Sequence, residues 1–345
     1  MNDKISDFYP IVTSNFSYNK MKEDINQLIT DLLNDSLAPG ETLEPGIRYD
    51  SSKTVAAKAR NRISQLDLEC AHELKEIIIN EKNRDRKNEA YTILSRIAEK
   101  HNEAELIHFL IECLSSEKNK SFIGLNLSGI YFAGLRLKAH VGIILDFAQS
   151  KNSHIRHSAI QILALYDSDS EKIEDFLVEM LNNSKDEYDL LYTNSSLISQ
   201  GTQKSIEPLK RVIRESNKQD VLSTGICALG KIDGTNQVDF FLEMMKEKKN
   251  TFVKSILTEF ICKHANSGAI DIIVDRVKKI LSRKRSTNIH YGEGQHPELV
   301  HALMYLNQFE DEDARIPKLK KWILEKKMDF LDETESNWVN ENLKI

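Results

Sequence analysis

Small or apolar residues recur along the chain at a nearly constant interval. Ala56, Ala90, Gly124, Ala159, Tyr192, Gly225 and Ile256 stand in similar surroundings, separated by 34, 34, 35, 33, 33 and 31 residues. Each opens a run with apolar residues at helical offsets: Ile93, Leu94 and Ile97 after Ala90, Ile162 and Leu163 after Ala159, Leu229 and Ile232 after Gly225. Offsets of three, four and seven put these side chains on one face of an α-helix. A second apolar helix fits between anchors, within residues 74–78, 106–114, 173–181, 206–213, 238–245 and 270–281. Polar breaks such as Asn152-Ser153, Asp167-Ser168-Asp169-Ser170 and Asn266-Ser267-Gly268 separate the helices. The pattern predicts helix N-caps at Ser153 and Ser168, the latter forming a capping box with Glu171.

Each unit is therefore a helix, a turn and a helix, about one helical hairpin long. A lone hairpin cannot bury its own apolar face, whereas seven or eight stacked hairpins share a continuous core. The expectation is an all-α protein without a sheet, with the repeats occupying residues 51–331. Two regions break the period. Residues 1–50 hold one amphipathic helix, about residues 20–37, and a Pro/Gly connector at residues 38–46, read as an N-terminal cap. Between Ile256 and the next anchor, Ala302, the gap is 46 residues, and the surplus falls in a long loop at residues 286–297. A loop beyond what the period requires is a place to look for function. Trp322, Ile323 and Phe330 mark a closing helix, and residues 332–345 read as a polar tail or cap.

Composition agrees. The chain has 345 residues, with 40% hydrophobic and 29% charged, the balance of a globular protein rather than a disordered one. Six prolines and thirteen glycines are too few for the many turns of a β-sandwich or barrel. A net charge of −6 argues against a general nucleic-acid coat, though not against a local basic patch. Cys70, Cys113, Cys227 and Cys262 form no C-x-x-C pair and read as small hydrophobes in a reducing compartment. The first residues carry two acids and no apolar core of a signal peptide, and the charge-free stretch 121–135 is too short to span a bilayer. The expectation is a cytoplasmic protein outside the membrane.

Ile155-Arg156-His157-Ser158-Ala159-Ile160-Gln161-Ile162-Leu163 resembles the first helix of a HEAT repeat, with Ile155-Arg156 in the place of the family's Val-Arg pair. Residues 222–232, Leu222-Ser223-Thr224-Gly225-Ile226-Cys227-Ala228-Leu229-Gly230-Lys231-Ile232, are similar. The resemblance covers roughly residues 50–330. It implies a right-handed α-solenoid of about seven to eight hairpins whose second helices line a concave face. It specifies a fold rather than an activity. Some stand-alone bacterial members act as subunits, inhibitors or immunity partners.

The sequence offers little catalytic chemistry. His154 and His157 lie three apart, His101 and His108 seven apart, and His290, His296 and His301 cluster around the long loop. None of these spacings matches a known zinc signature, and helix-end or surface roles account for them. Gly292-Glu293-Gly294 lacks the rest of a phosphate loop, and no nucleophile elbow is present. No metal and no cofactor is expected.

Charge is more informative. Along the second helices, Glu73, Glu76, Glu105, Glu112, Glu174, Asp175 and Glu179 give way to Lys210, Arg211, Arg214, Lys278, Lys279 and Arg283, continued by Lys284 and Arg285. Complementary fields of this kind steer partner choice. The expectation is a non-enzymatic scaffold that binds a protein or peptide with acidic groups. Its partner-binding residues are Lys210, Arg211, Arg214, Lys278, Lys279, Arg283 and Tyr291. The alternative is a nucleic-acid-binding protein, glycosylase-like or regulatory, using the basic C-terminal half. It ranks lower because both tryptophans, Trp322 and Trp338, lie at the C-terminal end and the middle second helices are acidic.

Overall fold

The computed structural model describes residues 24–284 and 297–343. The described residues are helical apart from turns and isolated bridges, with no strand among them. Two compact units divide at His101, residues 1–101 and 102–345.

In the first unit, α1 (Ile25–Leu32) packs on α2 (Val55–Ile63) and α4 (Arg84–His101), and α3 (Ala71–Asn80) packs on α4. Ile25, Leu28, Ile29 and Leu32 form the buried stripe of α1, and Asp24 caps it by accepting from the Gln27 N–H at 3.0 Å. The helix expected to reach residue 37 stops at Leu32. Asn34 turns the chain by accepting from the Ser36 N–H, and Leu37 then bridges Thr54, so this segment serves the N-terminal turn of α2 instead.

The second unit runs from α5 (Ala104–Ser115) and α6 (Lys120–Ala133) through α7 (Val141–Ala148), α8 (Ser153–Leu163), α9 (Ser170–Asn183) and α10 (Glu187–Gln200). It continues as α11 (Ile206–Glu215), α12 (Gln219–Asp233), α13 (Val238–Glu247), α14 (Thr251–His264), α15 (Ile270–Ile280), α16 (Glu298–Asn307), α17 (Arg315–Lys326) and α18 (Glu333–Asn342). From α6 to α16 the even-numbered helices pack in series, and from α5 to α15 each odd-numbered helix packs on the even one that follows it. Side chains reach one period along the sequence. Ser128 meets Ser158, Arg156 meets Asp189, Ser196 donates to the Ile160 carbonyl, Arg211 to the Leu181 carbonyl and Lys248 to the Arg214 carbonyl, over 30 to 36 residues. Equivalent parts of neighbouring hairpins are thus tied together. Glycine lets the even helices close up: a Cβ at Gly230 would lie 2.2 Å from the Phe260 ring.

Several expected details shift by one position. Asn152, not Ser153, caps α8, because its longer side chain reaches the Ile155 N–H. Asp169, with a left-handed φ of 57°, precedes α9; Ser168 instead donates to the Lys138 carbonyl and to Asp169. In α10 the position facing the core is Thr193 rather than Tyr192, and in α14 it is Leu257 rather than Ile256. The register slips because α10 buries a polar face, Asp189, Thr193, Asn194, Ser196 and Gln200, which a hydrophobic pattern does not mark. Residues 332–343 form a helical cap, not a tail. Asp332 and Glu335 complete a capping box, and Val339 is buried. No disulfide joins the four cysteines; Cys70 is buried, and burial pushes the half-buried Cys262 thiol far up. Among the described residues, no helix is long and apolar enough to cross a membrane.

Candidate functional site

Short connections make successive helices antiparallel. The C-terminal ends of the odd helices and the N-terminal ends of the even ones therefore meet along one edge of the second unit. Lys248 donating to the Ser216 carbonyl at 3.1 Å, Asn250 donating to Gln219 at 3.0 Å and the Lys218–Glu187 ion pair at 2.8 Å join neighbouring loops there.

Most of the basic residues singled out in the sequence lie in the C-terminal halves of the odd helices, towards this edge, but their charges have different fates. On α11, Lys210 pairs with Glu207 at 3.1 Å. Arg211 donates to the Leu181 carbonyl and to Asn182. Arg214 grips Glu243 with two nitrogens, at 3.2 and 3.3 Å, while its guanidinium lies over the Phe240 ring. Arg211 and Arg214 thus tie α11 to α9 and α13, while the Lys210 pair stays within α11. Lys278 and Lys279, in the last turn of α15, and Arg283 just beyond it are exposed, and no carboxylate among the described residues pairs with them. Half-buried Lys254 of α14 lies close to this second group. Burial, with the nearby charges of Lys279 and Arg276, holds its ammonium below the ordinary lysine range. Tyr291, Arg285 and residues 286–296 of the long loop lie outside the described residues.

Two charged side chains of the odd-numbered helices are buried, Glu174 among them although the sequence placed it on the charged face. Glu174 is buried because it receives the Thr202 N–H at 2.7 Å and the Thr202 and Ser205 hydroxyls, fastening α9 to the start of α11. Arg276 is buried against Glu298, with contacts of 2.6 and 2.9 Å, and Thr258 donates to the same carboxylate. This pair ties α14, α15 and α16 together and neutralises one of the basic residues of α15.

His157 stands among Asp186 and Asp189, the one described group of three side chains close enough to share a cation. Its Nε2 lies 3.0 Å from Asp189 Oδ1. That same oxygen accepts from Arg156 Nε at 2.7 Å, Asp189 Oδ2 accepts from Ser184, and Asp186 Oδ1 accepts from the Tyr188 and Asp189 N–H groups. The donors already serve one another, and a metal would have to displace a guanidinium. The arrangement acts as a clasp between α8 and α10. Its signal in the sequence was the separation of His157 and Asp189 by 32 residues, one repeat. His154 packs over Gly124, and His108 is buried beside Lys138.

In the first unit a groove of about 770 Å³ runs between α2 and α4, over Leu32 and Ile63, with Arg60, Glu89, Arg96 and Lys100 around it. Burial raises the Glu89 carboxyl above its ordinary 4.5, and Arg60 only partly offsets this. The folded state thus holds this proton more tightly than the unfolded chain. The group favours folding below pH 4.5, and that contribution is lost as pH rises through the folded value. Glu89→Gln should therefore raise the urea midpoint at neutral pH, and the gain should vanish in acid. A midpoint lowered at neutral pH would contradict this.

No protein-family model matches the chain, and no curated protein matches its sequence.

Proposed function

We propose that the chain is a non-enzymatic interaction protein, a HEAT-like, right-handed α-solenoid that holds an acidic protein or peptide partner in the cytoplasm. A partner lying on the concave side meets the basic rim at Lys278, Lys279 and Arg283, with Lys210, Arg211 and Arg214 shaping the neighbouring surface. One observation carries the reading: Arg211 and Arg214 of α11 are spent on contacts with neighbouring helices, while the cations at the end of α15 are exposed and no carboxylate among the described residues pairs with them. Uncompensated like charges cost some stability and raise the capture rate of an opposite charge. The His157 cluster, Glu174 and the Arg276–Glu298 pair serve as clasps between helices, which supports binding over catalysis.

The experiment is affinity purification from cell extract at two salt concentrations, with nuclease treatment. A protein that survives nuclease and elutes as salt rises, and that then rebinds the isolated chain, supports the proposal. Recovery of nucleic acid alone would replace it with the nucleic-acid reading.

A further inference from the structure

Five connections lead from an odd helix into an even one between α5 and α14, and each carries an exposed lysine: Lys118, Lys151, Lys185, Lys218 and Lys249. Their separations are 33, 34, 33 and 31 residues, so they keep the period of the helices. In four of the five, an Asn or Asp follows directly and caps the next helix: Asn119, Asn152, Asp186 and Asn250. Capping explains the Asn or Asp. It does not explain the lysine, which among the described residues has a carboxylate partner only at Lys218. Three residues after Lys151, Lys185 and Lys249 comes an exposed ring: His154, Tyr188 (56% exposed) and Phe252 (53% exposed). Tyr188 is steadied by Tyr192 and His157, at centroid distances of 6.4 and 5.9 Å. Large exposed rings fixed beside lysines are the composition of a contact surface rather than of a solvated loop.

We infer that this edge is a docking track for an extended acidic peptide segment. The inference rests on the function proposed above and names the form of its partner. Packed helices stand about 10 Å apart, so successive lysines recur at about that distance. A polyproline-II peptide rises about 3.1 Å per residue with about three residues per turn, so a carboxylate at every third residue stays on one face and meets one lysine per hairpin. Residues between the carboxylates fall beside the rings. Nucleic acid fits less well. Glu215, Asp220 and Glu247 are exposed along the same edge and would oppose a continuous row of phosphates, whereas a peptide places neutral residues there. Asp186 and Glu187 are already engaged, the first as a helix cap and the second with Lys218.

The test uses the full chain and three labelled probes read by fluorescence anisotropy at low salt. The first is a synthetic peptide with Glu at every third position, the second has the same composition with its Glu residues gathered at one end, and the third is a single-stranded oligonucleotide of similar length. The periodic peptide should bind about tenfold more tightly than the clustered one, and Lys151→Glu with Lys185→Glu and Lys249→Glu should remove that preference. Tyr188→Ser with Phe252→Ser should weaken the periodic peptide several-fold while leaving its salt dependence in place. All five positions are exposed, and an unchanged thermal midpoint confirms that each variant is folded. Equal binding of the two peptides, or binding untouched by the triple reversal, overturns the track. Tighter binding of the oligonucleotide through the same lysines overturns the peptide assignment. If peptide binding instead depends on Lys278, Lys279 and Arg283 alone, the track fails while the proposed function stands.

Discussion

Truncating Leu163 or Leu229 to alanine is expected to destabilise the second unit by about 2–5 kcal/mol, because lost transfer free energy and a residual cavity add. Both side chains are 0% exposed. Leu163 closes α8 where α7 and α10 pack on it, and Leu229 lies in α12 where α10, α11 and α14 converge. Neither site can collapse without moving a neighbouring hairpin, so the loss should spread to adjacent units. Urea denaturation supplies the midpoint, and hydrogen exchange shows the spread. An unchanged midpoint in both variants would contradict the packing described here.

Asp189→Ala is expected to have a comparable effect, about 3–5 kcal/mol, for a different reason. Asp189 compensates the Arg156 guanidinium at 2.7 Å and contacts His157 at 3.0 Å, and the side chains of Arg156 and Asp189 are only 17% and 8% exposed. Removing the carboxylate leaves a largely buried cation without its partner, which costs far more than the intact pair contributes. The double variant Asp189→Ala with Arg156→Met should recover most of the loss, since it removes the stranded charge as well. Thermal unfolding of the two single variants and the double closes the cycle. A double variant no more stable than Asp189→Ala would assign the effect to Ser184 and His157 instead.

The fold was legible where burial is apolar. Ala90, Ala159 and Gly225 marked the repeat because helices close up on small residues, and the apolar positions after them are buried, except Ile232, which is half-buried. The reading slipped at α10 and α14 because polar side chains can be buried too, once backbone groups one period away satisfy them. Asn194 donating to the Val221 carbonyl and Gln200 to the Tyr166 carbonyl are such cases. The candidate site was legible only as an inventory of charge. Arg214 and Lys279 are alike in sequence as basic residues near the end of an odd-numbered helix, yet Glu243 lies beside the first and no carboxylate among the described residues pairs with the second. Arg276 is adjacent to exposed lysines in sequence and still turns inward, because Glu298, 22 residues on, is folded against it. Which cations remain available depends on pairings between hairpins, and those emerge only when the hairpins are stacked. The lysines of the edge keep the same period in sequence, but packing enforces that period only among the core residues.

The most direct test of the central claim is the association rate of the isolated partner with the wild-type chain and with the variant Lys278→Glu, Lys279→Glu, Arg283→Glu, measured at low and at high salt. The three residues are exposed and make no internal ion pair among the described residues, so the variant should keep its thermal midpoint. The variant's on-rate should be markedly slower at low salt, with the difference shrinking as screening grows. A folded variant that binds with unchanged kinetics at both salt concentrations would contradict it.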